Sequence, residues 1–414
     1  ETLRELSENS DSYDGWISRS WIQEEYIHVD VLPSKLVLPR RYAFRYLKIT
    51  MMDTSPKYQL LVRHAECLTE SSADLKLLDE PSYTDDETLN RLDRVSLLTL
   101  ANCMQDVFED GPKRDQRLWL GDLRLQALTN YVSFKNYDLV KRCLYLFAGS
   151  RFPDGRISAN VFTKPTVECD DTYLFDYALF FVVCLEEYFQ QTKDTEALDD
   201  LYQIAMQQVE LSLQKCDENH LISEQAASEC FIDWNETLDT RACAQAILIY
   251  TMRYAIRLAR HKNDLSQANW LSRETEHLKE AAKAFFWDSQ KRCFLSGGQA
   301  SIASQVWMVL ADVPDQEEAT ELMSRADEFK GVKMTTPYMH HYYIAALLRT
   351  DLKDRALKEM TDYWGSMIKA GADTFWEAWD PEDPSASPYG GSVINSYCHA
   401  WSCTPAYFIR EYFC

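Results

Sequence analysis

From Thr84 onward the sequence alternates between two kinds of helical stretch, and that alternation restricts the fold more than any other feature. The stretches near 89–108, 137–149, 195–215, 266–286, 316–328 and 352–368 each carry one charged face. Those near 118–132, 171–189, 238–260, 300–312, 337–349 and 397–411 are apolar almost all round. The runs Tyr177 to Val183 and Ala244 to Tyr250 show the second kind best. A helix apolar on every side is buried on every side. Six half-exposed helices interleaved with six buried ones is the pattern of two concentric rings, joined by the short connections that suit antiparallel neighbours. The pattern therefore predicts a mainly α protein, an (α/α)6 barrel over 84–414. An α-solenoid also alternates its helices, but it would repeat at a fixed period, and none is present. The first barrel helix is announced by Thr84-Asp85-Asp86-Glu87, which has capping-box form, followed by Leu89, Leu92, Val95 and Leu98 at helical spacing.

Residues 1–75 differ in kind. Tyr26–Val31, Arg41–Ile49 and Lys57–Arg63 are rich in β-branched and aromatic residues and are bounded by Pro or Ser/Asp clusters, so they read as strands. Three strands cannot bury two faces alone. The expectation is a short β-strand segment that belongs to a β-sandwich and pairs with further sequence or docks on the helices. Residues 70–86, with Pro81-Ser82, read as a linker.

Composition narrows the function. With 43 Lys+Arg against 65 Asp+Glu the net charge is −22. That balance argues against nucleic acid, which needs basic patches, and against an anionic membrane surface. No run of 18 apolar residues appears, so no segment reads as a bilayer span. The 12 cysteines include no pair at CxxC spacing, and several lie within apolar helical runs. They read as buried small hydrophobes rather than zinc ligands or a disulfide framework. Free thiols at this density favour a reducing, cytoplasmic-type compartment.

In a barrel of this kind the buried helices run parallel, so their N-termini share one mouth. Polar and aromatic residues cluster just before them. Glu109 to Asp122 precedes the first and includes Asp110, Arg114, Asp115, Trp119 and Asp122. Asp176-Tyr177 opens the second, and Asp233-Trp234 precedes the third. His340-His341 lies in the fifth without a third ligand at suitable spacing, so no metal pair is expected. Trp376-Glu377 precedes the sixth, and His399 sits at its start. One such carboxylate reads as a helix cap; three around Pro112, Arg114 and Trp119 do not. Carboxylates beside tryptophans fit sugar recognition, and two carboxylates facing across a sugar pocket define glycoside hydrolysis. One donates a proton to the leaving oxygen while the other acts on water or on the anomeric carbon. A separation of about 6.5–9.5 Å means inversion and about 5–5.5 Å retention.

The string Asp110-Gly111-Pro112-Lys113-Arg114-Asp115, with Trp119 and Gly121-Asp122, resembles the D-C-P-x-R-[DE] signature of glycoside hydrolase family 78, the α-L-rhamnosidases. Trp376-Glu377, the closing Ser396 to Ser402, and Leu36 to Tyr46 resemble that family too. The resemblance implies an inverting hydrolase of terminal α-L-rhamnosides on plant-type glycans or glycosides. By it Asp115 matches the general acid and Glu377 the general base. Asp110, Arg114, Asp122 and His399 match sugar-hydroxyl ligands. Trp119, Tyr177 and Trp234 match aromatic walls facing the ring and its methyl group, and Asp233 and Trp376 join the substrate-binding set. Gly111 stands where the family has Cys, a change expected to be tolerated. The acid position often holds Glu, and here the dipeptide is Asp115-Gln116. One alignment puts Asp115 there and the other puts Gln116, which cannot act as an acid; the seven-residue step to Asp122 favours the first.

The alternatives are an unsaturated uronide hydrolase or a catalytically silent sugar-binding barrel. The first would need a cationic clamp beyond Arg114 and Lys113. No cofactor is implied, and the acidic run Asp380, Glu382, Asp383 reads as a solvated loop. A carbohydrate is the expected partner.

Overall fold

The computed structural model describes residues 1–53, 56–57, 60–79, 84–329 and 331–414. Among the described residues eleven long helices fall where the periodicity places them. They are α1 (Glu87–Cys103), α2 (Leu120–Val132), α3 (Tyr137–Gly149), α4 (Phe175–Thr192), α5 (Thr195–Leu213), α6 (Arg241–His261), α7 (Leu265–Phe286), α8 (Ile302–Leu310), α9 (Gln316–Ser324), α10 (Pro337–Arg349) and α11 (Lys353–Lys369). The twelfth stretch is broken. A 3-10 turn, Ala400–Ser402, leads into α12 (Pro405–Phe408) and a π turn, Ile409–Phe413. Pro405 lacks the N–H that a continuous ladder needs, and it serves instead as the first residue of a new turn.

The even-numbered helices form the inner ring. α2 packs on α4, α4 on α6, α6 on α8 and α8 on α10; α10 then meets the 400–402 turn, which returns to α2. The ring therefore closes, and the (α/α)6 barrel is the fold. The apolar circumference of α4 explains its place: Phe175, Leu179, Phe180, Phe181, Val182 and Val183 are all fully buried, each such side chain contributing roughly 1.5–3 kcal/mol. The outer helices keep one wet face, and five of the six are started by Asx caps, with Asp86, Asn136, Asp194, Asp264 and Asp315 accepting backbone N–H bonds; α11 follows Leu352, which supplies none. The capping box expected at Thr84 is not the cap. Asp86 caps α1, while the Thr84 hydroxyl accepts the Asp86 N–H at 3.1 Å.

Strands are few and short among the described residues. Leu118–Trp119, Asn160–Phe162 and Glu168–Cys169 form an antiparallel sheet in which Leu118 faces Val161 and Val161 faces Cys169. Trp287–Asp288 pairs with Cys293–Phe294.

The N-terminal strands expected at 26–31 and 41–49 carry no ladder among the described residues, and Lys57–Arg63 lies partly outside them. Val29, Val31, Val37, Leu47 and Ile49 are exposed. Neither a pairing edge nor a covering layer is supplied to them, and isolated short strands do not hold. The segment is tethered to the barrel by ion pairs, Arg41 with Glu109 and Arg45 with Asp373 at 2.9 Å. Of the 70–86 linker, Pro81-Ser82 lies outside the described residues. Ser71 bonds the Ala101 carbonyl at 2.7 Å and Leu75–Asp79 makes a 3-10 turn. Seven of the 12 cysteines are buried and all are free thiols. Among the described residues no helix is long and apolar enough to cross a membrane.

Candidate active site

Two loops meet at the N-terminal ends of the inner helices, 109–119 before α2 and 375–399 before the closing turn. Main-chain acceptors lace them together. Arg114 Nε donates to the Ile394 carbonyl at 3.0 Å, Lys113 Nζ to Asn395 at 2.7 Å, and the Ala400 N–H to the Asp110 carbonyl at 2.8 Å. Asp110 builds the first loop from within. Its two carboxylate oxygens accept the N–H groups of Asp115 (2.9 Å) and Arg117 (3.0 Å), which wraps the chain around it. Burial, then the charge of Asp115, push the Asp110 carboxyl up to about 7. Gly111 is required here, because a Cβ would stand 2.4 Å from the Arg114 carbonyl oxygen.

Arg114 is the hub. Its side chain is almost wholly buried, and its two terminal nitrogens face two carboxylates: Nη1 lies 3.4 Å from Asp115 Oδ1 and Nη2 donates to Glu377 Oε2. The ring of Tyr389 lies 4.1 Å from the guanidinium carbon, and the Tyr389 hydroxyl donates to the other Glu377 oxygen. Glu377 is thus held at both oxygens while buried. Of these carboxylates Asp115 is the more open, its side chain 17% exposed against 5% for Glu377. Gln116, at φ 60°, turns its amide back to donate to the Pro112 carbonyl at 2.6 Å.

A second chain of contacts approaches Glu377 from α2. His399 Nε2 bonds Asp122 Oδ1 at 3.1 Å, and His399 Nδ1 lies 3.9 Å from Glu377 Oε2. Burial alone would lower the imidazole pKa, but Glu377 and Asp122 outweigh it and raise it. Burial in turn raises Asp122 despite its bond to His399.

The sequence candidates divide. Asp110, Arg114, Asp115, Asp122, Glu377 and His399 converge on one cluster. Tyr177 is buried against Gly121, where a Cβ would stand 2.3 Å from its ring, and it meets Trp119 edge-on at 6.4 Å. Trp234 packs edge-on against Tyr389 at 5.5 Å and Phe231 at 5.1 Å. Two candidates stand apart from the cluster. Asp233 bonds Thr335 and Thr336, its Oδ2 accepting the Thr335 N–H at 2.7 Å, so it braces the start of α10. Trp376 packs on Trp379 and Tyr397, with ring centroids at 4.8 and 5.3 Å. Neighbouring sequence placed both beside site residues, but successive side chains point to different sides of the chain.

Tyr389 is the residue sequence reasoning missed. Its one signal is the setting Pro388-Tyr389-Gly390-Gly391, an aromatic residue in a Gly-rich loop. The N-terminal segment holds that loop: the Tyr13 hydroxyl donates to the Tyr389 carbonyl at 3.2 Å, and Gly15 packs where a Cβ would stand 2.0 Å from the same oxygen. Trp401 and Phe231, stacked at 5.7 Å, were likewise not among the expected site residues.

Six helical hairpins with bridged carboxylates at the shared mouth define a barrel glycosidase. The chain matches the profile of the bacterial α-L-rhamnosidase six-hairpin glycosidase domain over residues 82–413, and that of the glycosyl hydrolase family 78 α-rhamnosidase N-terminal domain over residues 1–69. A rhamnosidase from Klebsiella oxytoca, solved with rhamnose bound, is 47% identical with a TM-score of 0.94, covering 100% of this chain and 81% of that one. The family 78 rhamnosidase of Bacillus sp. GL1 shares the fold at 24% identity and TM-score 0.71, over 80% of this chain and 35% of that one. So does the Streptomyces avermitilis α-L-rhamnosidase complexed with L-rhamnose, at 18% identity and TM-score 0.62, over 82% and 33%. No curated protein sequence matches the chain. The chain belongs to glycoside hydrolase family 78, the α-L-rhamnosidases, and is a glycoside hydrolase removing terminal α-L-rhamnose.

Proposed function

We propose that Asp115 is the general acid and Glu377 the general base of an inverting hydrolysis. The single guanidinium of Arg114, in contact with both carboxylates, is the observation that carries this reading. Asp115, the more open of the two, gives its proton to the glycosidic oxygen as the bond to the anomeric carbon breaks. Glu377 takes a proton from the water that attacks the opposite face. Arg114 and Tyr389 each occupy one position on a Glu377 oxygen, and a carboxylate oxygen can accept a further bond, which leaves a place for that water. Arg114 then remains as a fixed positive charge between the groups while they exchange their charge states.

Asp110, Asp122 and His399 bind sugar hydroxyls in this reading, and the aromatic residues Trp119, Tyr177 and Trp234 wall the pocket for the ring and its methyl group. Asp233 and Trp376 support that wall from behind. The substrates are rhamnose-capped plant-type glycans or glycosides. The division of the chain at 75–84 belongs to the same proposal, and the break between the two family profiles, 69 to 82, supports it.

The test is hydrolysis of p-nitrophenyl α-L-rhamnoside with proton NMR on the released sugar. β-Rhamnose is expected to form first. Asp115→Asn and Glu377→Gln are each expected to abolish turnover with the fold intact. Full activity in both variants refutes the assignment. Gln116→Glu is expected to add nothing, since a carboxylate there would face the Pro112 carbonyl; a large gain would move the acid to position 116.

A further inference from the structure

We infer that His220, Glu274 and His277 form a binding site for a borderline divalent metal ion of the Zn2+ class on the outer wall of the barrel. One potential ligand atom from each residue lies within 4.8 Å of the other two. Glu274 and His277 stand one turn apart on α7 in a Glu-x-x-His arrangement, the spacing by which a helix offers two ligands to one metal. His277 Nδ1 is 3.9 Å from Glu274 Oε1.

His220 arrives from another element. It sits in the hairpin that follows α5, where Asp217 Oδ1 accepts the N–H groups of Asn219 and Leu221 and the chain passes through φ 59° at His220 itself. Gln245 of α6 donates to the His220 carbonyl at 3.0 Å, which fixes the backbone. The two imidazole rings then face each other 5.0 Å apart at 36°.

The donor set selects the ion. Two imidazoles and one carboxylate are borderline ligands suited to Zn2+, and unsuited to Ca2+ or Mg2+, which take oxygens. Bonds of about 2.0–2.2 Å to a tetrahedral ion bring ligand atoms to within roughly 3.5 Å of each other. Closing from 4.8 Å to that separation needs rotation of the three side chains, none of which is buried. A fourth position opens to solvent beside half-exposed His277. A bound ion would tie the 217–222 hairpin to α7.

The experiment is calorimetric titration of Zn2+ into the metal-stripped full chain carrying Cys67→Ser and Cys414→Ser, which removes the two exposed thiols. One ion per chain is expected to bind, and Co2+ in its place is expected to show an absorption spectrum without thiolate charge-transfer bands. His277→Ala and His220→Asn are expected to weaken binding more than about tenfold, with unchanged circular dichroism. Asn suits position 220 because it tolerates the left-handed backbone. Rhamnoside hydrolysis is expected to be the same in both variants. The inference is overturned if no saturable binding occurs below about 1 mM, if both variants bind as the parent does, or if the Co2+ spectrum reports thiolate.

Discussion

Asp176 offers the sharpest quantitative test of the electrostatics around the mouth. It opens α4 and is fully buried. Its Oδ1 accepts the Phe231 N–H at 3.1 Å, and its Oδ2 has no hydrogen-bond partner among the described residues. Burial outweighs the backbone donors and pushes its carboxyl from 3.8 up to about 8. A folded-state pKa above the unfolded one means that stability is fully present below about pH 4 and is lost as the pH rises towards 8. Each unit of pKa difference is worth about 1.4 kcal/mol, so the loss between pH 5 and pH 8 is about 3–4 kcal/mol. Asp176→Asn keeps an oxygen for Phe231 and removes the charge. Equilibrium urea unfolding at pH 5, 6, 7 and 8 should therefore show the parent losing stability relative to the variant as the pH rises. Phe231 stacks on Trp401 and meets Tyr338 at a 60° tilt, so the variant should also hold this wall better in alkali. Parallel stability curves for the two proteins would refute the reasoning.

Two further outcomes follow from the cluster around Arg114. Tyr389→Phe keeps the ring over Arg114 but removes one bond to a buried carboxylate, a loss of roughly 1.5–3 kcal/mol; kcat/KM should fall about 10–100-fold with unchanged circular dichroism, and a change below about threefold would show that the hydroxyl does not position Glu377. Gly111→Ala pushes a methyl group against the Arg114 carbonyl and the Ser396 hydroxyl at 2.4 and 2.7 Å. It should lower the melting temperature and cost about 1–3 kcal/mol, and a Cys there, as in the family signature, should do the same; thermal scans showing an unaltered Tm would contradict the close packing.

The barrel is legible in the sequence, because helix periodicity records how many sides of each helix meet water. α4 and α6 are apolar all round and lie in the inner ring; α5 and α7 have one charged face and lie outside. Much of the candidate site was legible too, since parallel inner helices bring the residues before them to one mouth, and the Asp110 to Asp122 string and Glu377 could be read from that rule. Where side chains point, and what they meet across the chain, follows from the packing and not from the order of residues. Asp233 turned to Thr335 and Thr336, and Trp376 to Trp379 and Tyr397. Tyr389 reached Glu377 from a loop without periodicity, held there by Tyr13 and Gly15 from more than 370 positions earlier. Among the described residues the N-terminal segments with strand composition form no ladder, because a strand depends on a partner that its own residues do not specify. Periodicity is a local property of the chain; the joining of Asp115 and Glu377 through one arginine, across 262 positions, exists only once the ring has closed.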